Sequence, residues 1–284
     1  MIDQETVWQE IWPVVEEFIE ATLAEDAERA GALLLPDSIA AESLDLFDIY
    51  VFDILLKTVL GRSSLGLSRA VETENGRFVH IEYAWPEPGS TANSYTANDV
   101  VTVTLTRTTG KWLIQEINPS AIDLPLTGAR ARGILATGQN LNDEGKVPGE
   151  AWILPFALYG GLLKMKLRPA ALADTIEALL LPGMQERRYG MMALVYARRL
   201  WRKFRNSARP QLAKPAAWAA AVEYIMGELE MRELTQAAAA KNYQVNLSQM
   251  VPHMKLIKRS LNIQKMDERY SDVQAPQIVV NNNI

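Results

Sequence analysis

The chain has 284 residues, 48% of them hydrophobic and 22% charged, and contains no cysteine. That length suffices for two domains with separate cores, and the missing cysteine excludes disulfides, thiolate metal sites and cysteine nucleophiles within this sequence. The net charge of −5 hides a division: residues 1–125 hold 7 Lys and Arg against 21 Asp and Glu (−14), and residues 126–284 hold 22 against 13 (+9).

The first stretch, "MIDQETVWQEIWPVVEEFIE", carries acids where a secretory signal needs a basic start and an apolar core. With the absence of cysteine, this gives a cytoplasmic protein as the expectation. Val7, Ile11, Val14, Val15, Phe18, Ile19 and Leu23 recur at helical spacing and predict a first amphipathic helix. "AERAGALLLP" predicts a second, stopped by Pro36, and "DLFDIYVFDILLKTVLG" a third, ending at Gly61. The period then changes to two. "RAVETENGRFVHIEYAW" reads as a hairpin turning at Asn75–Gly76, and "DVVTVTLTRTTGKWLIQEINP" as another turning at Thr109–Gly110. Helices followed by a meander of strands make an α+β unit, with the helices covering one face of a curved antiparallel sheet.

This order, with the "EEFIEATLAEDAERAGALLLPD" start and the "GKWLIQEINPS" finish, resembles the nuclear transport factor two-like (SnoaL-like) cone fold over roughly residues 5–122. The resemblance implies a family of isomerases, dehydratases, ligand binders and docking modules, so it selects no single function. In enzymatic members an Asp, His or Tyr projects into the cone and exchanges protons with substrate. Asp48, Asp53, Tyr50, His80 and Tyr83 are the residues of that type, and Asp48, Asp53 and Tyr83 are the candidate ligand-binding set. Strand alternation puts His80 opposite Val79 and Ile81 and hence toward solvent. Asp45, Asp48 and Asp53 fall where a helix start favours acids through its dipole. No catalytic residue is assigned.

"NPSAIDLPLTGARARGILATGQNLNDEGKVPGE" (118–150) is rich in Gly, Pro, Asn and Asp and reads as a linker, with the boundary between 123 and 150. "AWILPFALYGGLLKMKL" (151–167) is too short and too interrupted by Pro155 and Gly160–Gly161 for a membrane span and is expected to be a buried helix. Helices follow in "PAALADTIEALLL", opened by Pro169, and in "PGMQERRYGMMALVYARRLWRKFRN". The latter has Tyr189, Met192, Ala193, Tyr196, Leu200 and Phe204 on its buried stripe and Arg198, Arg202, Arg205 and Arg209 on another face. "PAAWAAAVEYIMGELE" starts at Pro215, and its alanines imply close helix–helix approach.

In "TQAAAAKNYQVNLSQMVPHMKLIKRSLN", Thr235 is placed to cap one helix and Asn246 or Ser248 the next, with "QVN" as the turn. Ala240 is the small residue allowing close approach, Val245 closes the turn, and Met250, Met254 and Ile257 face inward. With the preceding Ala-rich helix, this stretch resembles the last three helices of a cyclin-like repeat of the transcription factor IIB family, whose final two helices touch promoter DNA. That resemblance implies DNA contacts at Gln249, His253 and Lys255, with Lys258 and Arg259 flanking. Three features depart from the family: Gln244 stands where a turn glycine is usual, Pro252 lies inside the second helix, and there is no zinc ribbon.

The sequence therefore predicts an α+β cone-like domain (1–122, three helices on a curved antiparallel sheet) and a linker (123–150). An all-α, roughly six-helix cyclin-like domain follows (151–266, helix-turn-helix at 235–262), and then a disordered tail (267–284). The expected function is a non-enzymatic, cytoplasmic regulator. Its basic domain contacts DNA through Gln249, His253, Lys255, Lys258, Arg259, Arg198, Arg202 and Arg205, and its acidic domain binds a small ligand or partner. Two alternatives stand beside it. One is a protein-interaction scaffold, homodimeric through the cone, whose Arg198, Arg202 and Arg205 face an acidic patch of the cone; the other is a small-molecule isomerase or hydrolase in the cone. No cofactor, metal or membrane contact is expected.

Overall fold

The computed structural model describes residues 4–56, 66–72, 78–84, 101–119, 165–265, 267 and 269–271. They belong to two compact units, Met1–Lys166 and Leu167–Ile284. The first unit holds helices and an antiparallel sheet, and the described part of the second is helical. The linker expected at 123–150 and the helix expected at 151–167 lie outside the described residues, apart from Met165 to Leu167, which form no helix. No described helix is long and apolar enough to cross a membrane.

In the first unit, Gln4–Thr6 and a π-helical turn, Val7–Ile11, lead into α1 (Trp12–Leu23). The Trp12 amide reaches back five residues to the Val7 carbonyl. The widened turn thus sits immediately before Pro13, which has no amide to give. Val7, Ile11, Val15, Phe18 and Ile19 are buried as their spacing requires, whereas Leu23 is exposed. Asp26 caps α2 (Ala27–Ala32), and Ser38 caps α3 (Ile39–Phe47) by accepting the Ala41 amide at 3.1 Å. The third helix expected to run unbroken to Gly61 is interrupted at Asp48, whose φ of 66° ends α3 before α4 (Tyr50–Leu55). Residues 57–65 lie outside the described set.

Strands β1 (Gly66–Glu72), β2 (Phe78–Ala84), β3 (Val101–Thr108) and β4 (Lys111–Pro119) form one antiparallel sheet in sequential order. The turn between β3 and β4 has φ of 50° at Thr109 and 81° at Gly110. Two positive values give a hairpin twist that matches its strands. The expected turn at Asn75–Gly76 lies outside the described residues, between β1 and β2. Residues 33–35 pair with β4: the Leu35 amide donates to the Ile114 carbonyl (2.8 Å) and the Ile114 amide to the Leu33 carbonyl (2.9 Å). Val101, Val103, Leu105, Ile114 and Ile117 are buried, and Trp112 Nε1 donates to Glu10 at 3.0 Å, tying the π-helical turn to the hairpin.

The second unit contains α5 (Thr175–Glu186), α6 (Met191–Ala208), α7 (Pro215–Leu229), α8 (Gln236–Asn242) and α9 (Leu247–Leu261). Helix α7 is its centre: Ala217, Ala219, Ala220 and Ala221 are buried, and α5, α6, α8 and α9 pack around it. Pro169 opens only a 3-10 turn, Pro169–Ala171, and α5 begins later, at the cap residue Asp174. The helix expected across residues 182–206 is two helices, because the chain leaves α5 at Arg187 and re-enters at Gly190. Of the tail expected to be disordered from 267, residues 267 and 269–271 are described, and the Ser271 hydroxyl lies 3.3 Å from the Leu229 carbonyl and 3.1 Å from Glu230. Residues 272–284 lie outside the described set.

Five helices end in the same way. Glu25, Arg188, Met231, Gln244 and Asn262 take positive φ, and the next amide returns to a carbonyl five residues earlier at 2.8 to 3.1 Å. This is the closure glycine normally makes. An L side chain there costs roughly 1–2 kcal/mol, and Asn alone of these five tolerates it well. At Gln244, exposed with φ of 54°, Gln244→Gly is expected to raise stability by about 0.5–1 kcal/mol after the extra unfolded-state entropy of glycine. Urea unfolding checks this; an unchanged or lowered midpoint would show that the side chain itself supports the turn.

Candidate functional site

The α8–α9 pair has the inward residues its spacing requires. Thr235 accepts the Ala238 amide at 3.1 Å, closing the first turn of α8. After α8, the Val245 amide donates to the Ala240 carbonyl at 3.0 Å and the Gln244 amide to Lys241 at 3.1 Å, so residues 244–246 form a compact turn. Ala240, Met250, Met254 and Ile257 are buried against the unit. Asn246 opens α9, and its amide is accepted by Gln249 Oε1 at 3.1 Å in a capping box. Pro252 is not in the first turn, the place its chemistry tolerates best; α9 starts at Leu247 and runs on through it. Pro252 has no amide to return to the Ser248 carbonyl.

The outward row of α9 follows from helical spacing: Ser248, Pro252, Lys255 and Arg259, all exposed. Exposed Lys241 ends α8. From Leu234 to Met266 the chain has no Asp or Glu and five Lys or Arg. Lys241, Lys255 and Arg259 meet no acid among the described residues, while Lys258 pairs with Glu228 at 2.5 Å. Lys241 carries no periodic or motif signal and was legible only as part of this acid-free stretch.

Two residues expected to read DNA are engaged elsewhere. Gln249 is half-buried and holds the α9 cap. The half-buried His253 ring stacks on buried Trp218, with centroids 3.8 Å apart and planes 20° apart. Burial, and then Lys214, pushes its pKa below the ordinary value of 6.5. No sequence signal joins residues 218 and 253.

In the arginine row of α6, Arg198, Arg202 and Arg205 are also occupied, by acids of their own unit, whereas Arg209 follows the end of α6 and is exposed. Glu177 has no exposed surface. It accepts Arg202 at 2.7 and 3.2 Å and the Ala173 amide at 2.8 Å, and Arg198 lies 3.8 Å away. Asp174 accepts the Ile176 and Glu177 amides on one oxygen, and Trp201 Nε1 (2.9 Å) and Arg205 (2.7 Å) on the other. Burial pushes the Asp174 carboxyl up, but the amide, indole and guanidinium donors outweigh it and hold the pKa below the usual carboxylate range. Arg198 is 1% exposed, which corrects its placement at a DNA-facing surface. Arg202 and Arg205 are about a third exposed, with guanidinium groups turned to Glu177 and Asp174. The Asp-x-x-Glu spacing of Asp174 and Glu177 ahead of an apolar run was the readable sign of this cap. A second buried carboxylate, Glu223 of α7, is held by Arg187, which also donates to Tyr243 at 2.7 Å.

In the first unit, Asp45 and Asp48 lie toward the end of α3, not at a helix start. The Asp48 carboxylate accepts the Ile49 amide at 2.8 Å. Asp53, in the first turn of α4, is half-buried, and burial, then Glu25, pushes its pKa up. Tyr50 is exposed. His80 pairs with Val71 and Thr104, and Tyr83 with Leu67 and Val101, in the sheet register. Their side chains lie outside the described set. The described residues contain no group of three His, Asp or Glu able to hold a metal ion.

No family model, curated protein or solved structure matches the chain.

Removing the Glu177 carboxylate takes the counter-charge from buried Arg198 and from Arg202 and leaves them on the Ala171 carbonyl. Glu177→Ala is therefore expected to cost about 3–5 kcal/mol in urea unfolding, and a loss below 1 kcal/mol would show the pair to be dispensable. His253 has a lowered folded pKa, so its contribution is complete above the unfolded value near 6.5 and is lost as pH falls below it. His253→Phe keeps a ring on Trp218 and removes that titration. Between pH 7.5 and 5.5 its melting temperature is expected to fall less than that of the unaltered chain, and parallel falls would contradict this.

Proposed function

We propose that the chain is a non-enzymatic regulator whose helical unit contacts DNA through α8 and α9. The observation that carries the reading is the outward row of α9, in which Lys255 and Arg259 stand exposed without acid partners among the described residues, in an acid-free stretch. The second unit as a whole has 17 Lys and Arg against 10 Asp and Glu, a balance that favours a polyanion. The capped helices, the three-residue turn and the inward Met250, Met254 and Ile257 support reading the pair as a helix-turn-helix. Grouped around the Ala-rich α7, they support the resemblance to a cyclin-like repeat. The contact set is narrowed to Lys241, Lys255 and Arg259, with Lys258 at its edge. Helices followed by a sequential antiparallel sheet support the cone-like reading of the acidic unit, which we assign to a small ligand or partner, with Asp53 a carboxyl whose pKa burial pushes up.

A second reading, a protein-interaction scaffold, is favoured by one observation: Leu247 and Leu256 of α9 are each 44% exposed. A salt-dependent shift assay on the full chain separates the two. DNA binding is expected at low salt, where phosphate affinity is greatest, and to weaken as salt rises. No shift at low salt would sink the DNA reading and leave the scaffold.

A further inference from the structure

We infer that this face holds duplex DNA by its phosphate backbone and does not read base sequence. The inference rests on the DNA reading above and concerns what the contact recognises. Reading a base pair in the major groove takes side chains with free donors and acceptors, above all Arg on guanine and Asn or Gln on adenine. In a helix-turn-helix those side chains come from the first turns of the second helix.

In α9 those turns have little to offer. Leu247, Val251 and Pro252 bear no hydrogen-bonding side chain, and Met250 is buried. Gln249 has its acceptor on the Asn246 amide. Bidentate pairing with adenine would take that oxygen away and open the cap. Asn246 is the other half of the same capping box. His253 lies flat on Trp218, and turning its edge to a base would break the stack. Ser248 is left, and a single hydroxyl accepts or donates to several bases alike.

The charged residues lie elsewhere. Lys255 and Arg259 occupy the third and fourth turns of α9, and Lys241 ends α8. They are placed to meet a phosphate backbone while the uncharged start of α9 faces the groove. Binding then comes from counterion release, which is blind to sequence and steep in salt.

The test uses the full chain with fluorescently labelled duplexes of equal length, AT-rich, GC-rich and mixed, titrated across a salt series, together with selection from a randomised duplex pool. Dissociation constants are expected to agree within about twofold across the duplexes, and the pool to return no enriched motif. Three phosphate contacts give a log–log salt slope near −2.7, and K255A with R259A should flatten it by about 1.8 on every duplex. Both residues are exposed, so the double variant is expected to fold, and circular dichroism verifies this. A selected motif bound ten times more tightly than the rest would overturn the inference and leave the DNA reading standing. An unchanged slope in a folded double variant would overturn the inference by moving the contact to another face. Absence of binding at low salt would instead overturn the DNA reading itself.

Discussion

The carboxylate of Glu177 has no exposed surface, and the second unit is built around keeping it satisfied. An unpaired charge in such a place costs several kcal/mol, so its surroundings must supply donors from fixed positions. They come from α6 through Arg202 and from the chain before α5 through the Ala173 amide, with the Arg198 charge 3.8 Å away. One turn earlier, Asp174 does the same with Trp201 and Arg205. The two acids fix where α5 begins and which face of α6 meets it. Glu223 is held by Arg187, which also donates to Tyr243 just after α8, and so extends the same logic from α7 to α8. Helix α8 is thus positioned by polar contacts as well as by its alanines.

Much of this framework was legible because it follows from local rules. Pro215 opens α7, Thr235 caps α8, and Thr109–Gly110 turns the second hairpin. The residues expected on the buried stripe of α6 are buried, but so are Leu194, Val195, Ala197, Arg198 and Trp201, which that spacing left off it. Legibility ended where a residue's partner is far along the chain. Arginines at positions 198, 202 and 205 share a helix face whether that face meets solvent, DNA or two carboxylates, and periodicity does not distinguish these cases. The Asp48 break escaped because "DLFDIYVFDILL" is continuous in its apolar pattern, and nothing in it marks a positive φ at an aspartate. The stack of His253 on Trp218 joins residues 35 positions apart with no common motif.

The candidate site changed character for the same reason. A cluster of basic residues in sequence suggested a broad polyanion surface, but burial and pairing removed Arg198, Arg202 and Arg205, and the cap and the stack engaged Gln249 and His253. The outward row of α9 is short and simple: Ser248, Pro252, Lys255 and Arg259, with Lys241 at the end of α8 as a third cation. Such a surface holds a charged partner more readily than it discriminates among partners, because discrimination requires polar groups that suffer when the wrong ligand leaves them unpaired.

The acid-free run from Leu234 to Met266 also has a consequence for titration. His253 is its one group with an ordinary pKa between 5 and 8, and burial against Trp218, with Lys214 nearby, favours the neutral ring. The positive charge of α8 and α9 is therefore nearly constant across the range in which cells vary their pH. A protein needing an adjustable grip would place carboxylates or free histidines among its lysines. This one does not, so the strength of any hold on a polyanion is governed by dissolved ions and competing ligands, and hardly at all by protons.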